Sequence, residues 1–196
     1  MTTLPDGLAL LTGRHSLGVR HLAEPGPPMA RGMCVCAASL PTPHRRVCRT
    51  RRFLEACDDL GVTFVAFSPV ARGFLCGQPI DLAGLDAKDI RRAMPRFTPE
   101  NYAANERLLP AYHEIAKSVG CTPAQLALAW LLHKHPGVIP IPGTANIAHL
   151  EENMGAVNVA LSGEHMAALE ALIHPSAVVG ARYSPQNSLE VDTETW

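Results

Sequence analysis

The stretch "VIPIPGTANIAHLEENMGA" runs from Val138 to Ala156. It opens on apolar residues, breaks at Pro142-Gly143, and continues as a helix with His149, Glu152 and Asn153 in its early turns. A strand that runs into Gly-Thr and then a helix N-terminus gathers backbone N–H groups at one point, which suits an anion. The strand, "GVIPIP", reads as a buried one.

Another strand lies upstream. "VTFVAF", residues 62–67, is a non-alternating apolar run of strand length, which suits a parallel strand buried on both faces. It follows "RRFLEACDDLG", which reads as a short helix closed by Gly61. "SPVARGFLCG" then reads as a loop punctuated by Pro69 and Gly73. Residues 78–98 are a polar connection, with a short helical piece expected around Asp86–Met94. A helix is expected over Pro99–Val119, where Leu108, Tyr112, Ile115 and Val119 mark one face and Gly120 the stop. Pro110 inside it predicts a kink or a later start. "TPAQLALAWLLHKH" carries a capping box, Thr122 with Gln125, and Pro123 at the first helical position. A last helix, Ser162–Ile173, is expected to bury Met166, Leu169 and Leu172, with Pro175 ending it.

The order helix, strand, helix, helix, strand, helix, helix gives two parallel strands joined by a long helical crossover. A (β/α)8 barrel takes about 250 residues. The 196 residues here read as α/β, a partial (β/α)8 TIM barrel with its C-terminal strands and helices only.

The bulk numbers narrow the function. Net charge is -1, and charged residues make up 18%, so no excess of either sign points to nucleic acid or an anionic membrane. No apolar run approaches the roughly 20 residues that span a bilayer, and "MTTLPDGLALL" lacks a basic n-region and a full h-region. The six cysteines are scattered, which fits reduced thiols in a cytoplasm better than a disulfide framework. "CVC" with His44 and Cys48 matches no common zinc spacing, so no metal ligands are assigned. A zinc-binding N-terminal module stays open as a reading outside the main one.

Residues 1–46 differ from the rest. "EPGPPMARGMCVCAASLPTPHRRVCRTRR", residues 24–52, is rich in Pro, Gly, Arg and Cys, and no period survives in it. Residues 1–46 are therefore expected to be an irregular, poorly packed extension, and 47–196 the barrel portion.

The chemistry-bearing residues sit at two strand tips, "FSPVARG" (67–73) and "IPGTANIAHLEEN" (141–153). Barrel active sites are built at the carboxyl ends of strands. Ser68 and the peptide N–H groups of the first loop can donate to a pyrophosphate, and Arg72 can add a charge-assisted contact. Gly143 permits close backbone approach, and the Thr144 hydroxyl can donate to a second phosphate. Asn146, His149, Glu152 and Asn153 project from the helix start, and the Asn153 amide can pair with an adenine edge. Each also has a plainer role. Ser68-Pro69 can simply end a strand, Thr144 or Asn146 can be an N-cap, and His149 can be a surface histidine.

"GVTFVAFSPVARGFLCG", "PRFTPENYAANERLLPAYHEIAKSVGCTPAQLALAW" and "VIPIPGTANIAHLEEN" resemble, in order and spacing, the C-terminal part of an aldo/keto reductase. The resemblance covers about residues 53–183. It implies a barrel that reduces aldehydes and ketones with NADPH, a small carbonyl substrate, and no nucleic-acid or membrane partner. Phe67 stands where the family stacks a tyrosine on the nicotinamide. Ser68, Pro69, Val70 and Arg72 match the loop over the pyrophosphate. Gly143, Thr144, Asn146 and His149 match the 2′-phosphate segment, and Glu152 and Asn153 the adenine contacts.

Two departures qualify this. Ala145 and Asn146 fall where many relatives carry lysine or arginine, and His149 supplies charge only when protonated, which weakens the preference for NADP over NAD. The family's catalytic Asp, Tyr, Lys and His have no counterpart here, so no catalytic residue is assigned. The expectation is a truncated or frame-shifted, inactive half-barrel with at most weak nucleotide binding and a tendency to self-associate through exposed barrel edges.

Overall fold

The computed structural model describes the backbone of residues 33–37 together with residues 54–174 and 176–188. At its centre lies a three-stranded parallel sheet, order β1-β2-β3. β1 is Met33–Ala37, β2 Thr63–Phe67 and β3 Val138–Ile141. Between β1 and β2, residues 54–59 form helix α1, and Gly61 ends it with φ 62°. Two of the strands are those expected. β1 is not, since it falls inside the 1–46 stretch read as irregular; its five residues pair with all five of β2, from Met33 opposite Thr63 to Ala37 opposite Phe67. The rest of that stretch lies outside the described residues.

The β2–β3 register runs from Phe64 opposite Val138 to Phe67 opposite Ile141. The Phe64 N–H donates to the Gly137 carbonyl at 2.9 Å. In a parallel ladder the bonding residues alternate. Residues 137, 139 and 141 therefore turn their peptide groups toward β2, while Pro140 and Pro142 turn theirs toward the other edge of β3, which is open among the described residues.

The chain crosses from β2 to β3 through helices. The expected helix over Pro99–Val119 is two, α2 Pro99–Glu106 and α3 Leu109–Val119, broken at Arg107-Leu108 just before Pro110. The break shifts the phase, so Leu109, not Leu108, is buried beside Tyr112. α4, Pro123–Lys134, starts with the expected capping box: Thr122 Oγ1 accepts from the Gln125 N–H, and Gln125 Oε1 accepts from the Thr122 N–H. α5 is Ile147–Gly155 and α6 Gly163–Leu172. Leu169 of α6 is buried as expected, but Met166 and Leu172 are only half-buried. The piece expected around Asp86–Met94 reduces to a 3-10 turn, Ile90–Ala93. A last turn, α7, is Pro185–Ser188.

Two apolar clusters hold the assembly. Leu54 and Cys57 of α1 and Leu131 of α4 cover one sheet face at Phe64, Ala66 and Val138. Phe74 and Leu75 after β2 pack with Tyr102, Tyr112, Leu126 and Leu169 from α2, α3, α4 and α6. Tyr112 is 1% exposed and donates its hydroxyl to the Pro123 carbonyl at 2.7 Å. Burying a hydroxyl without a partner would be unfavourable by a few kcal/mol. The opposite sheet face is less complete among the described residues: Ile139 and Ile141 are exposed, and so are Ile147, Leu150, Met154 and Val157 along α5 and the turn after it. No single described helix is long and apolar enough to cross a membrane; α3 and α4 meet at 76° and line the core.

Candidate functional site

Because β2 and β3 are parallel and Phe67 lies opposite Ile141, the loops that follow leave the sheet at the same end. The two predicted segments, Phe67–Gly73 and Ile141–Asn153, therefore start from the same end of the sheet.

The first loop is tightly wound. Three non-glycine residues, Ser68 (φ 53°), Ala71 (φ 51°) and Arg72 (φ 59°), adopt left-handed backbone. Each such residue raises the energy by roughly 1–2 kcal/mol, and strain of this kind persists only where the surroundings fix it. The surroundings are turn bonds: Ala71 N–H to Ser68 O at 3.0 Å, Gly73 N–H to Val70 O at 3.1 Å, and Cys76 N–H to Gly73 O at 3.1 Å, with further bonds from the Phe74 and Leu75 N–H groups. Within Phe67–Gly73 these bonds take up the Ala71 and Gly73 N–H groups; the Ser68, Val70 and Arg72 N–H groups take part in none of them. Pro69 is buried, and Ser68, Val70 and Arg72 are half-buried. Arg72 Nη1 is buried with no hydrogen-bond partner among the described residues. Burial also lowers the pKa of its guanidinium, with Tyr183 opposing that effect.

The C-terminal tail returns over this loop, which the sequence did not suggest. The Arg182 guanidinium lies 5.2 Å from the ring centroids of both Phe67 and Tyr183. A guanidinium over an aromatic face is favourable, and it holds the tail against the ring assigned to stacking. Asn105, buried at 3% exposure, fixes the tail's path: Nδ2 donates to the Val179 carbonyl at 2.9 Å, and Oδ1 accepts from the Val179 N–H at 2.8 Å. Gly180 follows at φ 89°, and a Cβ there would meet Asn101 Nδ2 at 2.9 Å and the Pro95 carbonyl at 3.1 Å. Asn105 and Val179 are 74 residues apart, so neither carries a local sequence signal of the other.

The second segment is open. Gly143, Thr144, Asn146 and His149 are exposed, and Glu152 and Asn153 half-buried. A Cβ at Gly143 would meet nothing within 4 Å. Thr144 Oγ1 accepts from the Asn146 N–H at 3.1 Å, and Asn146 Oδ1 accepts from the Ala148 N–H at 2.9 Å as the N-cap of α5. Both therefore fill their plainer roles, the expected N-cap among them. Gln125 Nε2 donates to the Glu152 carbonyl at 2.9 Å, docking α5 on α4. Glu152 also acts across to the first loop: burial first, and the Glu152 carboxylate second, push up the Cys76 thiol pKa. Cys76 and Cys121 are free thiols.

Two of the three tyrosines are structural. Tyr102 accepts from the Ile80 N–H at 2.8 Å, burial raises its pKa, and burial raises that of Tyr112 much further.

Helices over a parallel sheet, with loops gathered at the strands' carboxyl ends, define part of a (β/α)8 barrel. A solved glycerol dehydrogenase from Gluconobacter oxydans shares this fold with a TM-score of 0.62 at 18% identity, over 76% of this chain and 44% of that one. The aldo/keto reductase family model matches residues 41–174. Aldo-keto reductase str7 of Strobilurus tenacellus is 36% identical over 140 residues, and aldo-keto reductase yakc [NADP(+)] of Schizosaccharomyces pombe 36% over 142. The matches take in 71% and 72% of this chain, which spans 42% of the length of each of these relatives. The chain belongs to the aldo/keto reductase family.

Proposed function

We propose that this chain carries the distal half of the NADP(H) site of an oxidoreductase acting on small aldehydes or ketones, in a reducing cytoplasm. The observation that carries the reading is the β2–β3 register, which sends both predicted loops out of the same end of the sheet. The yeast relative's name specifies NADP(+). The residues fit such a ligand: Arg72 presents a buried Nη1 without a hydrogen-bond partner among the described residues, and Gly143 leaves room for close approach. Bound, the dinucleotide supplies hydride. The chain's own part is to hold it: Phe67 under the nicotinamide, Ser68, Pro69, Val70 and Arg72 around the pyrophosphate, Gly143, Thr144, Asn146 and His149 at the 2′-phosphate, and Glu152 and Asn153 at the adenine.

A second reading concerns catalysis. Hydride arrival on a carbonyl carbon puts charge on the oxygen, and a positioned acid must neutralise it. Tyr102 and Tyr112 are buried with engaged hydroxyls, and no residue matches the family's Asp-Tyr-Lys-His set. In this reading the chain is an inactive half-barrel; of residues 1–46, Met33–Ala37 belong to its sheet as β1. General acid catalysis alone is worth about 10²–10⁴ in rate. Titration of the chain with NADPH, followed by turnover assays on a panel of aldehydes, tests both. Saturable NADPH binding without turnover is expected. No binding would sink the cofactor site, and turnover abolished by Arg72→Ala would sink the inactivity.

A further inference from the structure

We propose that Asp89 and Arg91 are a positioning pair: together they fix the Arg72–Gly73 peptide and so set the direction of the Arg72 guanidinium. For its ligand this rests on the cofactor reading. What it adds is a pair of residues outside both strand tips that keeps one of them in shape.

The polar connection 78–98 folds back against the β2 loop at this point. Asp89 caps the 3-10 turn Ile90–Ala93, where its Oδ1 accepts from the Arg91 N–H at 2.9 Å. The same carboxylate grips the Arg91 side chain along one edge, with Nε donating to Oδ1 at 3.0 Å and Nη2 to Oδ2 at 2.7 Å. A planar guanidinium held in this way has a fixed direction. The remaining nitrogen, Nη1, lies off that edge and donates to the Arg72 carbonyl at 3.4 Å. It also covers Gly73, where a Cβ would meet Nη1 at 3.7 Å and Ile80 Cδ1 at 3.9 Å. At its other end the same peptide is tied down by the Gly73 N–H, which donates to the Val70 carbonyl at 3.1 Å. A peptide held at both its C=O and its N–H resists rotation. The left-handed backbone on either side of it, φ 59° at Arg72 and 91° at Gly73, persists only where the surroundings fix it. The Arg72 side chain takes its direction from that backbone, and its Nη1 is buried without a hydrogen-bond partner among the described residues. The Arg91 side-chain bonds, first of all, hold the Asp89 carboxyl down to about 2, so the grip is charged at any pH used to measure binding.

The test uses the full chain as wild type, Arg91→Lys, Asp89→Asn and Arg92→Gln. Each is titrated with NADPH by fluorescence and with adenosine 2′,5′-bisphosphate by calorimetry, and amide hydrogen exchange over residues 68–76 is followed by mass spectrometry. Arg91→Lys keeps a cation beside Asp89 but has no second nitrogen for the Arg72 carbonyl. Asp89→Asn keeps an acceptor for the turn and loses the grip. Both should bind NADPH roughly three- to tenfold more weakly, the effect of one lost hydrogen bond, and both should exchange the loop amides faster. Adenosine bisphosphate carries no pyrophosphate and should bind both variants as it binds the wild type, whereas a general loss of structure would weaken it too. Arg92→Gln should match the wild type throughout, because Arg92 is exposed and donates to the Leu85 carbonyl. In an Arg72→Ala background Arg91→Lys should lower NADPH affinity no further, since a residue acting through Arg72 has nothing left to position. Should Asp89→Asn unfold by circular dichroism, Arg91→Lys carries the comparison alone, because it leaves the cap of the turn in place. Wild-type NADPH affinity in the variants, or an equal loss with and without Arg72, overturns the pair and leaves the cofactor reading standing. No NADPH binding by the wild type would end the cofactor reading; loop exchange then decides the pair by itself, faster in the variants if the pair holds the loop and unchanged if it does not.

Discussion

At the end of β2, Ser68, Ala71 and Arg72 hold left-handed backbone, turn bonds engage the Ala71 and Gly73 N–H groups, and the tail packs across the top. At the end of β3, Gly143, Thr144, Ala145 and Asn146 are exposed, and the hydrogen bonds of Thr144 and Asn146 reach two to four residues along the chain. The first tip is fixed by distant parts of the fold, and the second by its own sequence. Disturbing the interior should therefore be felt mainly at the first, and local substitutions at the second should stay local.

The largest effect is expected from Leu126→Ala. Leu126 is 0% exposed and shares a cluster with Phe74 and Leu75, which carry the first loop. Truncation should lower stability by about 2–5 kcal/mol, read from urea unfolding, and NADPH affinity should fall with it. Unchanged affinity in the folded variant would break the link between that core and that tip.

Arg72→Ala should come next. A hydrogen bond to a charged group is worth about 1.5–3 kcal/mol, so NADPH should bind roughly 10–150-fold more weakly in a fluorescence titration. Asn105→Ala removes both bonds to Val179, at about 1–2 kcal/mol. Proteolysis of the tail near Val179 should quicken while the helices stay protected. Tail cleavage at the wild-type rate would mean that Arg182 and Gly180, not Asn105, hold it.

At the other tip the expected changes are smaller. Asn146→Ala loses the cap of α5 and should lower stability by about 1 kcal/mol, with little change at the β2 loop. The smallest effect probes the gap between the tips. The Cys76 thiol is raised by burial and by Glu152, so at pH 8 it holds less thiolate and should be alkylated more slowly than an ordinary cysteine. Glu152→Gln removes one cause and should speed the reaction a few-fold, read by mass spectrometry. No acceleration would place α5 farther from the loop than drawn.

The same contrast explains what was legible in the sequence. The α4 capping box, the Gly120 stop, the split near Pro110 and both strand tips depend on residues within a few positions, and their signals survive in one dimension. The left-handed Ser68, Ala71 and Arg72 were not legible, because none is glycine and the turn bonds that hold the conformation carry no residue-type signal. β1 was missed for a related reason. "MCVCA" has no strong strand preference of its own and becomes a strand by pairing with Thr63–Phe67. The docking of Asn105 on Val179, and of Arg182 on Phe67, joins residues far apart in sequence that no spacing rule connects.

The prolines of β3 carry one more consequence. Pro140 and Pro142 face the open edge, where neither has an N–H to offer. A strand arriving there would meet carbonyl acceptors without the alternating donors that a ladder needs. Copies of this chain that stick together should do so through the exposed Ile139, Ile141 and α5 side chains, giving small, salt-insensitive oligomers by sedimentation. They should not template one another into fibrils, and thioflavin T fluorescence should stay flat as those oligomers form.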